Sequence, residues 1–165
     1  MSTKANPQET TGQTLVIERV FDAPRELVWK AWSEPERFMR WWGPKDYSCP
    51  SWKIDFSVGG AFLGCMRSSD GNDIWSTGVY REIIPLERIV CTESFADAEG
   101  NVVPASHYGL PEDFPLEMLL TVTLEESNGK TKMTIRQDGM PVEMGEGANQ
   151  GWSESLDKLA ESLAA

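Results

Sequence analysis

At 165 residues the chain suits one hydrophobic core, and its 40% hydrophobic and 25% charged residues are those of a folded protein rather than a disordered one. Its net charge of −11, with lysine and arginine gathered into no stripe, repels phosphate backbones and excludes nucleic acid as a partner. No apolar run approaches the ~18 residues of a membrane-spanning helix, and residues 1–13 lack the apolar core of a signal peptide, so the expectation is a cytoplasmic protein with no membrane insertion.

Residues 1–13 read as a disordered tail, and residues 14–165 as a single domain. Thr14 to Phe21 is rich in strand formers and stops at Asp22. Asp22 is a candidate cap for a first helix, with Pro24 in its first turn and Leu27, Val28, Ala31 and Trp32 as the inward stripe. Ser33-Glu-Pro-Glu36 has the spacing of a capping box and predicts a second short helix carrying Phe38, Trp41 and Trp42, stopped by Gly43-Pro44. Strands follow at Ser48 to Phe56, Ala61 to Ser68, Asp73 to Ile84 and Arg88 to Phe95, with Gly59-Gly60 and Asp70-Gly71-Asn72 supplying tight connections.

From Ala96 to Pro115 the periodicity lapses, and a loop that long in a compact domain is often functional. Met118, Leu120, Val122 and Leu124 then alternate with polar residues, Asn128-Gly129 turns the chain, and Met133 and Ile135 continue inward on the return strand. Trp152, Leu156, Leu159 and Leu163 form one face of a terminal helix, with Glu154 and Lys158 paired on its outer side. Two readings of Gly147 and Gly151 stay open: a bare groove one turn long within the helix, or a flexible loop before a helix starting near Asn149.

Arg19-x-Phe21-Asp-Ala-Pro24, Val28-Trp-Lys-Ala-Trp32, Pro35-Glu36 and Arg40-Trp-Trp-Gly-Pro44 open a series of motifs. The series continues with Val58-Gly-Gly60, Gly78-x-Tyr80-x-Glu82-Ile83, Glu87-Arg-Ile-Val90, Gly129-x-Thr131-x-Met133-Thr134 and Gly151-Trp152 with Leu156-Asp-Lys-Leu-Ala160. In content and order it resembles the family called activator of heat-shock-protein ATPase homologue-like, within the START-related helix-grip (SRPBCC) superfamily. The resemblance implies an α+β helix-grip fold: a curved antiparallel β-sheet wrapped around a long C-terminal α-helix, with two short helices after the first strand. It also implies an apolar chamber between sheet and helix, without fixing what fills it.

Seven tryptophans, four of them between Trp29 and Trp42, can serve as core or as chamber lining. The candidate ligand-binding set is Trp41, Trp42, Phe56, Phe62, Tyr80, Leu120, Met133 and Trp152, joined from the long loop by His107 and Tyr108. Glu93, Asp97, Glu99, Glu112 and Asp113 are candidates for a carboxylate at the chamber mouth. No catalytic residue is assigned, since the sequence holds no Gly-x-Ser-x-Gly elbow and no phosphate-binding glycine loop. No metal and no cofactor are expected either: His107 is the only histidine, and Cys49, Cys65 and Cys91 show no Cys-x-x-Cys spacing and read as reduced packing residues.

The expectation is a non-catalytic binder of a small hydrophobic molecule. An enzyme of the cyclase or hydrolase sort in the same chamber is the alternative, and a chaperone-regulating interaction domain the second; a link to stress response belongs to the binder reading. A homodimer and a chaperone contact stay open as further partners.

Overall fold

The computed structural model describes residues 13–111 and 114–164; Glu112, Asp113 and residues 1–12 of the expected tail lie outside the described residues. Gln13 already belongs to the first strand, β1 (Gln13–Phe21). Two short helices follow, α1 (Arg25–Ser33) and α2 (Pro35–Phe38), then strands β2 (Tyr47–Ile54), β3 (Ala61–Ser68), β4 (Asp73–Ile84) and β5 (Arg88–Ala96). A 3-10 turn at Ala105–Tyr108 interrupts the long connection to β6 (Met118–Ser127) and β7 (Lys130–Met140), and a second at Val142–Met144 leads into the terminal helix α3 (Gly145–Ala164).

The seven strands form one antiparallel sheet in the order β1-β7-β6-β5-β4-β3-β2. The sheet curls into a half-barrel around α3, the α+β helix-grip arrangement. Part of the curl is built at β4–β5, where the register shifts between Tyr80 and Glu82 and the Val79 N–H turns to the Thr92 side-chain oxygen at 2.9 Å. A Cβ on Gly78 would strike the Thr92 carbonyl oxygen and the Phe62 ring, so only glycine lets the two strands meet there. Pro50 is tolerated because β2 is an edge strand.

The helix starts differ from the sequence reading. Pro24, not Asp22, holds the first N-cap position, and no side chain of the same turn caps it. The Arg25 N–H instead donates to Glu126 at 2.9 Å, while the Thr131 hydroxyl donates to the Ala23 carbonyl at 2.7 Å. The β6–β7 hairpin thus caps α1 across the molecule. At α2 the N-cap is Glu34 rather than Ser33, and the helix ends at Phe38, leaving Trp41 and Trp42 in the turn that follows.

The core sits between the concave face of the sheet and the helices, and much of it is aromatic. Phe38 stacks on Trp52 with centroids 3.9 Å apart, Trp52 stacks on Phe62 at 4.9 Å, and Trp41 packs edge-on against Trp32 at 4.9 Å. Leu156 and Leu159 of α3 are fully buried. Lys158 does not pair with Glu154 on an outer face, as the i,i+4 spacing predicts; its ammonium donates to the Pro44 and Tyr47 carbonyls at 3.2 and 3.0 Å. Arg19 of β1 meets Asp157 at 2.9 Å, so adjacent residues of α3 are fastened to both flanks.

Candidate functional site: a chamber under the terminal helix

Helix α3 includes Gly147 and Gly151, which settles them as helical. A Cβ at Gly147 would meet nothing within 4 Å, and one at Gly151 would reach only Pro44, in ordinary contact at 3.6 Å. The first two turns of the helix therefore pass over open space. Beneath them lies a chamber of about 410 Å³, within the size range of small-molecule sites.

Its walls follow from strand parity. Ile74 and Ser76 of β4, Glu93 and Phe95 of β5, Met118 of β6 and Gln137 of β7 all point to the concave face, because side chains two apart share a face. Trp42, Gly43 and Pro44 close one side, with Met66 of β3 behind them. Met140 and Met144 close another, and Trp152 and Ser155 come down from α3. Exposed Glu143 and Gly147 with half-buried Leu110, Phe114 and Pro115 mark the open rim, so the end of the 96–115 connection frames the entrance. A narrower recess of about 20 Å³, large enough for about one water, continues inward past Trp42, Ser76 and Glu93 to Trp52, Phe62 and Tyr80.

One polar relay crosses this lining. The Trp152 indole N–H donates to Gln137 Oε1 at 3.3 Å, and Gln137 Nε2 donates to Glu93 Oε1 at 2.6 Å. Because an indole nitrogen can only donate, it holds the amide oxygen of Gln137 toward itself and turns the NH₂ toward Glu93. Glu93 is half-buried and lines both the chamber and its recess. Burial pushes its carboxyl above the ordinary range, and the hydrogen bond from Gln137 opposes that rise. Burial likewise raises the Tyr80 phenol and pushes the Cys49 thiol up to about 11. Cys49, Cys65 and Cys91 are all buried free thiols. Among the described residues no group of three His, Cys, Asp or Glu is placed to hold a metal.

The sequence-derived candidates fall in five places. Trp42 and Trp152 line the chamber. Phe62, Tyr80 and Leu120 line the inner recess. Trp41 and Met133 are fully buried core, the Trp41 indole donating to the Ala31 carbonyl at 3.0 Å and Met133 Sδ accepting from Trp32 at 3.2 Å. Phe56 packs edge-on between Trp29 and Tyr80, apart from both spaces. His107 is exposed beside Tyr108 and lines neither space, while Tyr108 staples the long connection to the sheet by donating to the Ala96 carbonyl and accepting from the Trp75 N–H at 3.1 Å.

Of the carboxylates considered, Glu93 lies deep in the chamber rather than at its mouth. Asp97 is spent on its own turn, accepting from the Glu99 and Asn101 backbone, and Glu99 is exposed. Sequence reasoning missed Gln137 and the methionines of the lining. The available signal was parity: Gln137 is the polar member of an inward series with Met133 and Ile135, as Glu93 is in the series Ile89, Cys91, Phe95.

No curated protein matches the chain. Its fold matches a crystal structure of a protein from Chromobacterium violaceum, 29% identical, over 92% of this chain and 97% of that one, with a TM-score of 0.75. A solution structure from Arthrobacter aurescens is 26% identical over 97% of this chain and 90% of that one, with a TM-score of 0.76. The crystal structure of an AHSA1 protein from Silicibacter pomeroyi, 21% identical over 92% of this chain and 98% of that one, shares the fold with a TM-score of 0.74. Residues 22–164 match the family model described as Activator of Hsp90 ATPase homolog 1-like protein, and the chain belongs to that family.

Proposed function

We propose that this protein is a cytoplasmic, non-catalytic binder of a small hydrophobic molecule, held in the chamber between the sheet and α3. The observation that carries this reading is the chamber of about 410 Å³ whose lining is mostly apolar, with polar groups few and convergent. The net charge of −11 supports exclusion of nucleic acid, and no described helix is long and apolar enough to cross a membrane. Titration with a neutral lipophilic fluorophore, alongside labelled DNA at moderate salt, tests the reading. Saturable binding of the fluorophore and none of DNA is expected; DNA binding without fluorophore binding would overturn it.

A second reading has one observation in its favour. Glu93 is a half-buried carboxyl facing the chamber and held above its ordinary range, the kind of group that exchanges protons with a substrate. An enzyme of the cyclase or hydrolase sort would use it as its acid or base.

A further inference from the structure

We propose that the chamber selects an organic cation, an apolar body carrying one basic nitrogen, with that nitrogen set against Glu93. This rests on the reading of the chamber as a ligand site and names the class of molecule it takes. Three observations carry it.

The first is the sign of the charged groups. Among the described residues, Glu93 at the inner end and Glu143 at the rim are the charged members of the lining, and no lysine, arginine or histidine lines the chamber or its recess. A carboxylate-headed amphiphile would bring a like charge into this enclosed space with nothing to neutralise it.

The second is the fixed orientation of the relay. The Trp152 indole locks the Gln137 amide, so Glu93 Oε1 is committed as an acceptor. Its other oxygen, Oε2, meets no donor among the described residues. An enclosed carboxylate with an open oxygen is completed best by an ionised donor, since charge-assisted hydrogen bonds are about twice as strong as neutral ones. A neutral ligand would leave that carboxylate uncompensated or protonated.

The third is the company the carboxyl keeps. Trp42 and Trp152, their rings 5.3 Å apart and edge-to-face, line the same space. Indole faces attract cations, and more strongly when water is excluded. Phe95 and Phe114 add apolar walls for the rest of the molecule.

The test uses three ligands on one skeleton, 2-(1-naphthyl)ethylamine, 2-(1-naphthyl)ethanol and 1-naphthylacetate, titrated calorimetrically into the full chain at neutral pH. The amine is expected to bind at least about tenfold more tightly than the alcohol, the scale of one charge-assisted hydrogen bond, and the acid more weakly than either. In Glu93→Gln the amine-to-alcohol ratio should collapse to within about threefold of unity. In Glu161→Gln, which removes the same charge from an exposed position on α3, the ratio should persist. Equal binding of amine and alcohol by the wild-type chain overturns the cation assignment while leaving a hydrophobic binder. A ratio that survives Glu93→Gln overturns the role of Glu93, and failure of all three ligands to bind overturns the binding site itself. The wild-type ranking stands whether or not the Glu93 variant folds.

Discussion

Glu93 holds its proton more tightly in the folded chain than in the unfolded one, because burial disfavours its charged form more than Gln137 favours it. In the pH window from the ordinary carboxylate range up to the raised folded value, the native state carries the extra proton, so stability falls as pH rises. The penalty is absent below the unfolded value and complete above the folded one. Glu93→Gln keeps the shape and the hydrogen-bonding capacity of the side chain but cannot ionise. The variant is expected to melt above the wild type at pH 8, with the difference shrinking toward pH 4. A difference that stays constant across that range would show that the carboxyl is not held above its usual value. Gln137 and the Trp152 indole do not titrate over this range, and burial holds the neighbouring Cys91 thiol well above its ordinary value.

Within the elements, the glycines divide into two kinds that a helix or strand propensity cannot separate. Gly78 lies where β4 presses on the Thr92 carbonyl, and Gly147 lies on α3 with nothing near its missing side chain. Gly78→Ala should therefore cost about 3 kcal/mol, the upper end of overpacking penalties, since the obstacle is backbone. Gly147→Ala should stabilise by about 0.5–1 kcal/mol through helix propensity alone. Denaturant melts of the two variants check this, and destabilisation by Gly147→Ala would mean that something occupies the space below it.

The same contrast marks how far the sequence could be read. Ala61–Ser68 and Asp73–Ile84 were legible to the residue because Gly59-Gly60 and Asp70-Gly71-Asn72 bound them locally. The helix caps were not, because α1 is capped by Glu126 from a hairpin 101 residues away, which no local spacing encodes. Lys158 was misplaced for a similar reason: its i,i+4 partner was visible, whereas the Pro44 and Tyr47 carbonyls are brought to it only by the fold. Residue type was also a poor guide to the site. Trp41 and Trp42 are adjacent and identical, yet one is sealed in the core and the other lines the chamber, as the turn after Phe38 points them apart.

Taken as a whole, the molecule keeps most of its acidity at the surface, Glu93 being the acidic group set deep among the apolar side chains. Among the described residues no aspartate or glutamate is fully buried, while the aromatic cluster runs from α2 across β2 and β3 to Trp152. The chamber lies under the first turns of α3, where Trp42 and Trp152 end this cluster.

That gap makes the first part of α3 behave like a beam resting on two supports. Gly145 is buried at one end and Trp152 at the other, and the turns between them, bearing exposed Gly147, Asn149 and Gln150, have little beneath them. Beyond Trp152 the helix is clamped by Leu156, Leu159 and the fastenings of Asp157 and Lys158. Stiffness along one continuous helix is therefore uneven, and local opening should be concentrated over the span. Backbone amides 149–151 are expected to exchange with deuterium sooner than amides 156–160, and a molecule wedged under the span should slow the former and leave the latter unchanged. Uniform protection along α3 would mean that the beam is supported throughout.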